Sequence, residues 1–238
     1  MKKIFQVLAA CCLAVTIFSC SKCHKGDGPI VTIDKGITTA FTEVQVQGDF
    51  EVVLKTGAYK VNLITNQNIG AYIDVFVSGN TLHVKIKNDE CIKKYDKLKV
   101  EITAPYFSKV RSDGSGFMEN EGTLSTSGKM YVEHYGSGFI TLSVNADSVY
   151  SRLEGSGNLT IRGNTTGHFA FLEGSGLLEA GELHAVNATA SLNGSGAVGI
   201  HATNSLIAGV NGSGAIIYSG NPVTVDKSVN GSGAVVAK

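Results

Sequence analysis

The triplet Gly-Ser-Gly occurs seven times in the second half of this chain, at nearly constant spacing. The copies begin at Gly114, Gly136, Gly155, Gly174, Gly194, Gly212 and Gly231, and successive copies are separated by 22, 19, 19, 20, 18 and 19 residues. A period of this length over many copies is typical of a solenoid, in which each coil buries its apolar face against the next coil. The spacing therefore constrains the shape of the protein more than its chemistry.

The residues around the triplets indicate strands. A coil of about 19 residues has room for two or three strands of about five residues and their corners, which is one turn of a parallel β-helix. From Phe41 to about Val110, apolar and polar residues alternate as in half-buried strands. We predict an all-β protein: a right-handed parallel β-helix with coils of about 19 residues, preceded by a β-rich N-terminal segment.

Equivalent positions of a β-helix stack on one another, so a corner that needs a positive φ needs it in every coil, and glycine adopts it without steric cost. We therefore predict structural turn glycines at Gly114, Gly116, Gly136, Gly138, Gly155, Gly157, Gly174, Gly176, Gly194, Gly196, Gly212, Gly214, Gly231 and Gly233. The position two residues before the triplets should form an inward ladder of Leu153, Leu172, Leu192, Val210 and Val229. The position just before them ends in Asn193, Asn211 and Asn230, which suit a ladder of side-chain amides.

The N-terminus has the pattern of an export signal. Two lysines precede an apolar stretch, and the sequence Ile-Phe-Ser-Cys that ends at Cys20 resembles a bacterial lipobox, whose cysteine is acylated. We predict a lipoprotein signal peptide over residues 1–19, lipid on Cys20, a flexible tether over 20–36, an N-terminal β segment over 37–110 and the repeat β-helix over 111–238, with 37–238 as one continuous domain. An ordinary secretory signal and a signal anchor are the alternatives. The protein is then exported and held at the outer membrane, on the cell surface or the periplasmic face, by its lipid alone.

Charge and cysteine content exclude some classes of partner. The chain has 20 Lys and Arg against 20 Asp and Glu, so it offers no strongly basic surface for nucleic acid. Cys23 and Cys91 remain after the signal, and they either pair in an oxidising compartment or stay free. Cys23 and His24 alone are too few ligands for a metal site. We expect no catalytic residue, cofactor, metal or nucleic-acid partner. Whether residues 37–110 continue the same β-helix stays open.

Several motifs have both a functional and a structural interpretation. The segment 194–199 matches the dinucleotide pattern G-x-G-x-x-G, but it lacks the following helix and belongs to the repeat. Glu154 and Glu173 are one period apart, so they form either a stacked carboxylate pair, as a glycosidase needs, or a solvated face.

Aromatic residues and histidines have two interpretations as well. Tyr131, Tyr135, Phe139 and Tyr150 form either a stacking platform for sugars or aromatic packing inside the widest coil. The histidines at 83, 134, 168, 184 and 201 fall at scattered phases of the repeat, so we expect them on the surface.

The triplets with their preceding residues also resemble a known family. The segments Glu154–Gly157, Glu173–Gly176 and Asn193–Gly196, with Phe41–Leu54 as opening strands, resemble the auto-transporter adhesins with the head GIN domain, which occur in Bacteroidetes. The resemblance covers about Thr38 to Lys238. It implies a β-helical, envelope-associated domain with an adhesive role, and it supplies no catalytic residues.

We therefore predict a non-enzymatic envelope or cell-surface lipoprotein, an adhesin that binds glycan or protein through an extended face of the β-helix. The alternatives are a polysaccharide-active β-helix enzyme and a structural or stress-related envelope component without a ligand. The last coil, residues 229–236, should expose strand edges, so we expect a cap from neighbouring chain or a homo-oligomer formed by end-to-end contact.

Overall fold

A computed structural model describes residues 23–238, and the predicted signal peptide (1–19) and Cys20 lie outside the described residues. Within this range the protein has twenty strands and one short 3-10 turn, Gly70–Tyr72. None of the described residues form a helix with the length and apolarity that crossing a bilayer requires. The strands are β1 Cys23–Lys25, β2 Ile30–Asp34, β3 Glu43–Gln47, β4 Glu51–Thr56, β5 Lys60–Asn66, β6 Ile73–Ser78, β7 Thr81–Ile86, β8 Cys91–Lys94, β9 Leu98–Ala104, β10 Lys109–Gly114, β11 Phe117–Asn120, β12 Leu124–Gly136, β13 Phe139–Gly155, β14 Asn158–Gly174, β15 Leu177–Gly194, β16 Ala197–His201, β17 Ser205–Gly212, β18 Ala215–Ser219, β19 Thr224–Asn230 and β20 Ala234–Ala237.

Successive repeats pair in parallel, one full coil apart. Gly136 lies opposite Gly155, Gly155 opposite Gly174 and Gly174 opposite Gly194. The resulting β-solenoid has about seven turns. The prediction of an all-β solenoid is confirmed.

Each turn contributes pairing segments on both sides of its triplet. Face A is formed by the segments that lead into the triplets, from β10 through the ends of β12–β15 to β17 and β19. Face B is formed by the segments that follow the triplets, from β11 through the beginnings of β13–β15 to β16, β18 and β20. The middle turns add face C, in which residues 124–126, 144–146, 163–165 and 183–185 pair in register.

The N-terminal segment continues the same solenoid. Strand β3 pairs in parallel with β10 and β7, and β4 pairs in parallel with β11 and β9. Gly48, between β3 and β4, has a φ of 123° and lies directly below Gly114. The corner at Gly48 is therefore a triplet position with a different sequence. Beyond it, β6, β5 and β2 add antiparallel strands that close this end of the stack.

The predicted tether over residues 20–36 is wrong from Cys23 onward. Strand β2 pairs antiparallel with β5, and β1 pairs in parallel with β8, where Cys23 and Cys91 form a disulfide. The run Ile30–Asp34 alternates exposed and half-buried positions, and Ile33 packs against the core. The run is short and polar residues surround it, so the sequence does not indicate a strand here. Pairing with β5 stabilises it.

The two glycines of each triplet are required for different reasons. The first has a φ between 117° and 146° in all seven copies, a region that L side chains rarely adopt. The second has no such φ, but a β-carbon there would overlap the carbonyl oxygen of the equivalent residue in the preceding turn, which is Phe50 for Gly116 and a triplet glycine for the others. The side chain of the inward ladder also fills this space: a β-carbon added to Gly196 would lie 2.8 Å from Cδ2 of Leu172.

Hydrogen bonds connect the corners along the stack. The carbonyl oxygen of Gly155 accepts from the N–H groups of Ser175 and Gly176 at 3.0 and 3.1 Å, and equivalent bonds recur from turn to turn. The predicted amide ladder is less regular. Asn230 Nδ2 donates to Asn211 Oδ1 at 3.2 Å, and this bond does not recur between Asn211 and Asn193. The corners are therefore stabilised by the backbone rather than by side chains.

The inward ladder is buried except in the last turn. Leu153, Leu172, Leu192 and Val210 are at most 3% exposed, whereas Val229 is 45% exposed. All seven residues of β19 are exposed. Lys227 takes an inward position that alanines take in the three preceding turns, and its Nζ donates to the carbonyl oxygen of Val235. The apolar interior of the solenoid is therefore exposed at its last turn, and the Lys227 side chain lies across it.

Candidate binding surface

Outward-facing side chains of face A gather aromatic and cationic residues over neighbouring turns. Because side chains alternate along a strand, every second residue faces solvent, and the parallel register places equivalent residues above one another. We call this region the aromatic patch. It consists of Arg111, Tyr131, Tyr135, Tyr150, Arg152, Phe169 and Phe171.

Three rings of the aromatic patch form a continuous stack. The ring centroids of Tyr131 and Tyr150 are 4.9 Å apart, and those of Tyr150 and Phe169 are 4.6 Å apart, with interplanar angles of 20° and 9°. These distances match the spacing of about 4.8 Å between strands, so the backbone register sets the stacking. Both faces of the Tyr150 ring are occupied, and the stack presents ring edges to solvent.

Two arginines cover further rings. The guanidinium carbon of Arg111 lies 4.2 Å from the ring centroid of Tyr135, and that of Arg152 lies 4.4 Å from that of Phe171. Each arginine also binds the acid two residues further along its own strand. Arg111 Nε is 2.9 Å from Asp113 Oδ1, and Arg152 Nε is 2.5 Å from Glu154 Oε1. Both guanidinium groups are therefore held in place before any ligand arrives.

Charges within and around the aromatic patch are balanced. Glu133 lies between Arg111 and Arg152 in its column, and Lys109 Nζ is 3.0 Å from its carboxylate. Burial and the nearby Glu133 carboxylate raise the pKa of Tyr135, so its phenol remains a neutral hydrogen-bond donor at physiological pH. A surface of this kind does not select a polyanion by charge.

Comparison with known proteins identifies the family. The model of the family described as "putative auto-transporter adhesin, head GIN domain" matches residues 40–222. The chain belongs to this family. No curated protein matches it.

Solved structures share the fold of this head GIN chain. A putative adhesin from Bacteroides fragilis superimposes with a TM-score of 0.86 at 24% identity, covering 90% of this chain and 100% of that chain. A protein from Parabacteroides distasonis described as a putative lipid binding protein gives 0.74 at 22% identity, covering 91% and 100%. A putative adhesin from the same species gives 0.75 at 21% identity with the same coverage. At these identities the likeness establishes the fold alone.

The structure brings most of the sequence-predicted aromatic residues together. Tyr131, Tyr135 and Tyr150 lie on the aromatic patch, facing outward rather than packing inside a coil. Phe139 lies apart on face B and is 51% exposed. Sequence reasoning missed Phe169 and Phe171, although each follows an outward residue of the preceding turn, Tyr150 or Arg152, by one period.

The predicted acid pair is also on face A. Glu154 and Glu173 are adjacent in register, as their spacing indicates. The carboxylate of Glu154, however, binds the guanidinium of Arg152. This arrangement favours the solvated, structural interpretation of the pair over a shared-proton or glycosidase site. Within residues 23–238, no three His, Cys, Asp or Glu side chains gather as ligands for a metal ion.

The prediction that the histidines lie on the surface is wrong for His134 and His168. Both are fully buried at inward positions of face A. His168 Nε2 lies 2.8 Å from Ser151 Oγ, and burial lowers the pKa of His168 to about 4. His134 Nδ1 lies 3.3 Å from the carbonyl oxygen of Ser112. Neither histidine reaches the aromatic patch, so both belong to the core rather than to the binding surface.

Proposed function

We propose that this head GIN protein is a non-enzymatic adhesin that binds a partner protein through the aromatic patch of face A. The family description supports an adhesive role. The observation that carries the proposal is the exposed stack of Tyr131, Tyr150 and Phe169 beside two fixed arginines. Tyrosine and arginine are among the residues that dominate the energetics of protein–protein interfaces.

The geometry of the rings favours a protein over a glycan on this surface. A sugar stacks on the face of an aromatic ring. The faces of Tyr150 are covered by its two neighbours, and Tyr135 and Phe171 each have a guanidinium over one face. Ring edges and partly exposed arginines remain available, and these suit the side chains and carbonyl groups of a protein surface.

Rigidity strengthens the proposal. Association costs free energy for every side chain that it immobilises, about 0.5–1.5 kcal/mol for a flexible one. The ring stack and the two Arg–acid pairs order the aromatic patch in the free protein. Most of these side chains are therefore ordered before a partner binds, and the parallel register places them above one another over successive turns.

The proposal includes attachment to the outer membrane through lipid on Cys20. An adhesin needs an anchor, and the lipobox-like sequence ending at Cys20 supplies one. Labelling cells with a fatty-acid analogue should mark the wild-type protein and leave Cys20→Ser unmarked. Equal labelling of both proteins contradicts the anchor.

The binding test uses purified protein and immobilised matrix proteins: fibronectin, laminin and collagen. We expect binding to at least one of them. Arg152→Ala combined with Phe169→Ala should weaken that binding about tenfold or more, the effect of losing interface residues that each contribute 1 kcal/mol or more. Phe139→Ala is the matched control, because Phe139 is an exposed phenylalanine like Phe169 (51% against 42%) but lies on face B.

Each outcome decides between the alternatives. Binding that survives the double substitution, or that Phe139→Ala removes, overturns the role of the aromatic patch. Failure to bind any matrix protein favours the structural envelope component. Release of reducing ends from polysaccharides by the wild type, abolished by Glu154→Gln with Glu173→Gln, would establish the enzyme instead.

A further inference from the structure

A recess lies at face B, away from the aromatic patch, where successive turns differ in length. The turn that begins at Gly174 is 20 residues long and the next is 18. In the longer turn Thr160 pairs with Glu179 but Arg162 pairs with Glu182, so residues 180–181 form a bulge. In the shorter turn face C has no strand, and the N–H groups of Thr203 and Asn204 donate to the carbonyl oxygen of Val186 instead. The two irregularities together form a step at the outer edge of face B.

The step encloses a cavity of about 490 Å³, within the range of small-molecule sites. We call it the Glu179 groove. Its polar and exposed lining residues surround the backbone of Gly199 and are Thr160, Arg162, Glu179, Glu182, Ile217, Ser219 and Lys238. Along the outward column, Thr160, Glu179, Gly199 and Ile217 follow one another. Because glycine stands between the acid and the isoleucine, the Glu179 carboxylate has room to lie over the buried Gly199 backbone, which forms the floor.

The Glu179 carboxylate is held over that floor. Its Oε1 accepts a hydrogen bond from the backbone N–H of Gly181 at 2.9 Å, and a β-carbon on Gly199 would lie 2.5–2.6 Å from both carboxylate oxygens. Among the described residues, Oε2 has no hydrogen-bond partner. The bulge at Gly181 therefore fixes an acceptor that points into the cavity.

The remaining groups complement this acceptor. Arg162 Nε lies 2.9 Å from Glu182 Oε2, which neutralises the second acid and leaves the terminal guanidinium nitrogens as donors at the rim. Ile217, which is 41% exposed, forms an apolar wall opposite Glu179. One unpaired carboxylate is too little for a divalent cation, which takes six or more oxygen ligands. An acceptor, donors and an apolar wall suit a ligand that carries both hydroxyl and C–H surfaces.

We propose that the Glu179 groove binds one residue of a neutral saccharide. Ligand hydroxyls donate to Glu179, ligand oxygens accept from Arg162, and the C–H face of the sugar packs on Ile217. The free carboxylate disfavours acidic sugars. This site is separate from the aromatic patch and goes beyond the proposed adhesin function. The saccharide proposal and the adhesin proposal can therefore be tested independently.

The test is saturation-transfer-difference NMR on the purified protein with glucose, galactose, fucose, N-acetylglucosamine and glucuronate. Two variants act on the groove. Gly199→Val fills it, and the atoms its β-carbon meets are the movable carboxylate of Glu179 rather than backbone. Glu179→Gln keeps the shape and removes the charge. The matched controls are Gly209→Ala, whose β-carbon meets nothing within 4 Å, and Glu119→Gln, an exposed acid in the same column three turns earlier.

We expect a signal from at least one neutral sugar and a weaker one from glucuronate. Gly199→Val should abolish the signal and Glu179→Gln should weaken binding about tenfold, the effect of losing a charge-assisted hydrogen bond. Both controls, and the Arg152→Ala and Phe169→Ala changes in the aromatic patch, should leave it unchanged. No signal from any neutral sugar, or a signal that persists in both groove variants, overturns the proposal.

Discussion

His168 should make the stability of this protein depend on pH in a measurable way. Its imidazole is fully buried, its column neighbours are Val149 and Ala188, and it forms a hydrogen bond with the hydroxyl of Ser151. Within residues 23–238 no acid compensates a positive charge there, and burial lowers the pKa of His168 to about 4 from an ordinary value of 6.5. The unfolded chain therefore takes up a proton at a higher pH than the folded protein does.

The sign and size of the effect follow from linkage. Above pH 6.5 the histidine is neutral in both the folded and the unfolded state, so it does not change the free energy of unfolding. Between pH 6.5 and 4 the free energy of unfolding falls by about 1.4 kcal/mol per pH unit, because the unfolded state alone binds the proton. The total loss is about 3 kcal/mol, and it ends near pH 4, where the folded state is protonated as well.

The assay is urea unfolding at several pH values between 7 and 4. Ser151→Ala with His168→Val replaces both partners by the residues that adjacent turns carry at those positions, Ala170 and Val149. Other titrating groups are common to both proteins, so the difference between the two curves isolates His168. The wild type should lose about 3 kcal/mol more than the double variant on going from pH 7 to 4. Parallel curves would refute the reasoning.

Three further changes test the architecture. Gly196→Ala should lower the free energy of unfolding by about 2–4 kcal/mol in urea, because the added β-carbon would overlap the backbone of the preceding turn. Gly209→Ala should be nearly neutral, since its β-carbon meets nothing within 4 Å. Equal effects of the two changes would contradict the stacking argument. Cys91→Ser opens a covalent loop of 68 residues and should lower the free energy of unfolding by about 2–4 kcal/mol in the same assay. An unchanged free energy of unfolding would show that other contacts already hold the loop ends together. The exposed last turn should associate end to end with a second copy, which sedimentation velocity would detect. Lys227→Ala removes the inward charge and should strengthen this association. If the wild type and the variant are both strictly monomeric, the prediction is wrong.

Local repetition explains which predictions succeeded. The triplet spacing predicts the column of glycines because every parallel coil brings the same position to the same place, and one period is enough to establish register. For the same reason the spacing places Glu154 beside Glu173 and Leu153 beneath Leu172. It does not predict Gly48, whose corner reads Gly-Asp-Phe, because the backbone geometry recurs there without the sequence.

Irregular features required the tertiary structure. The strand at residues 30–34 forms because β5 offers it an edge, and nothing within the segment specifies that partner. Arg152 looks like an ordinary charged residue until its register places it over Phe171 of the next turn. The intervals of 20 and 18 residues mark the Glu179 groove in the sequence, but the cavity exists only because a bulge and a missing strand fall at the same corner.

The amino-acid sequence by itself determined the coil length, the parallel stacking and the glycine positions, since these depend on one short period and on steric limits that recur identically in every turn. Tertiary structure alone decided which outward side chains meet, which histidines are buried and where the surface is concave. Those properties arise from contacts between residues one or more turns apart. Their partners are set by the exact length of each turn, which the average period does not specify.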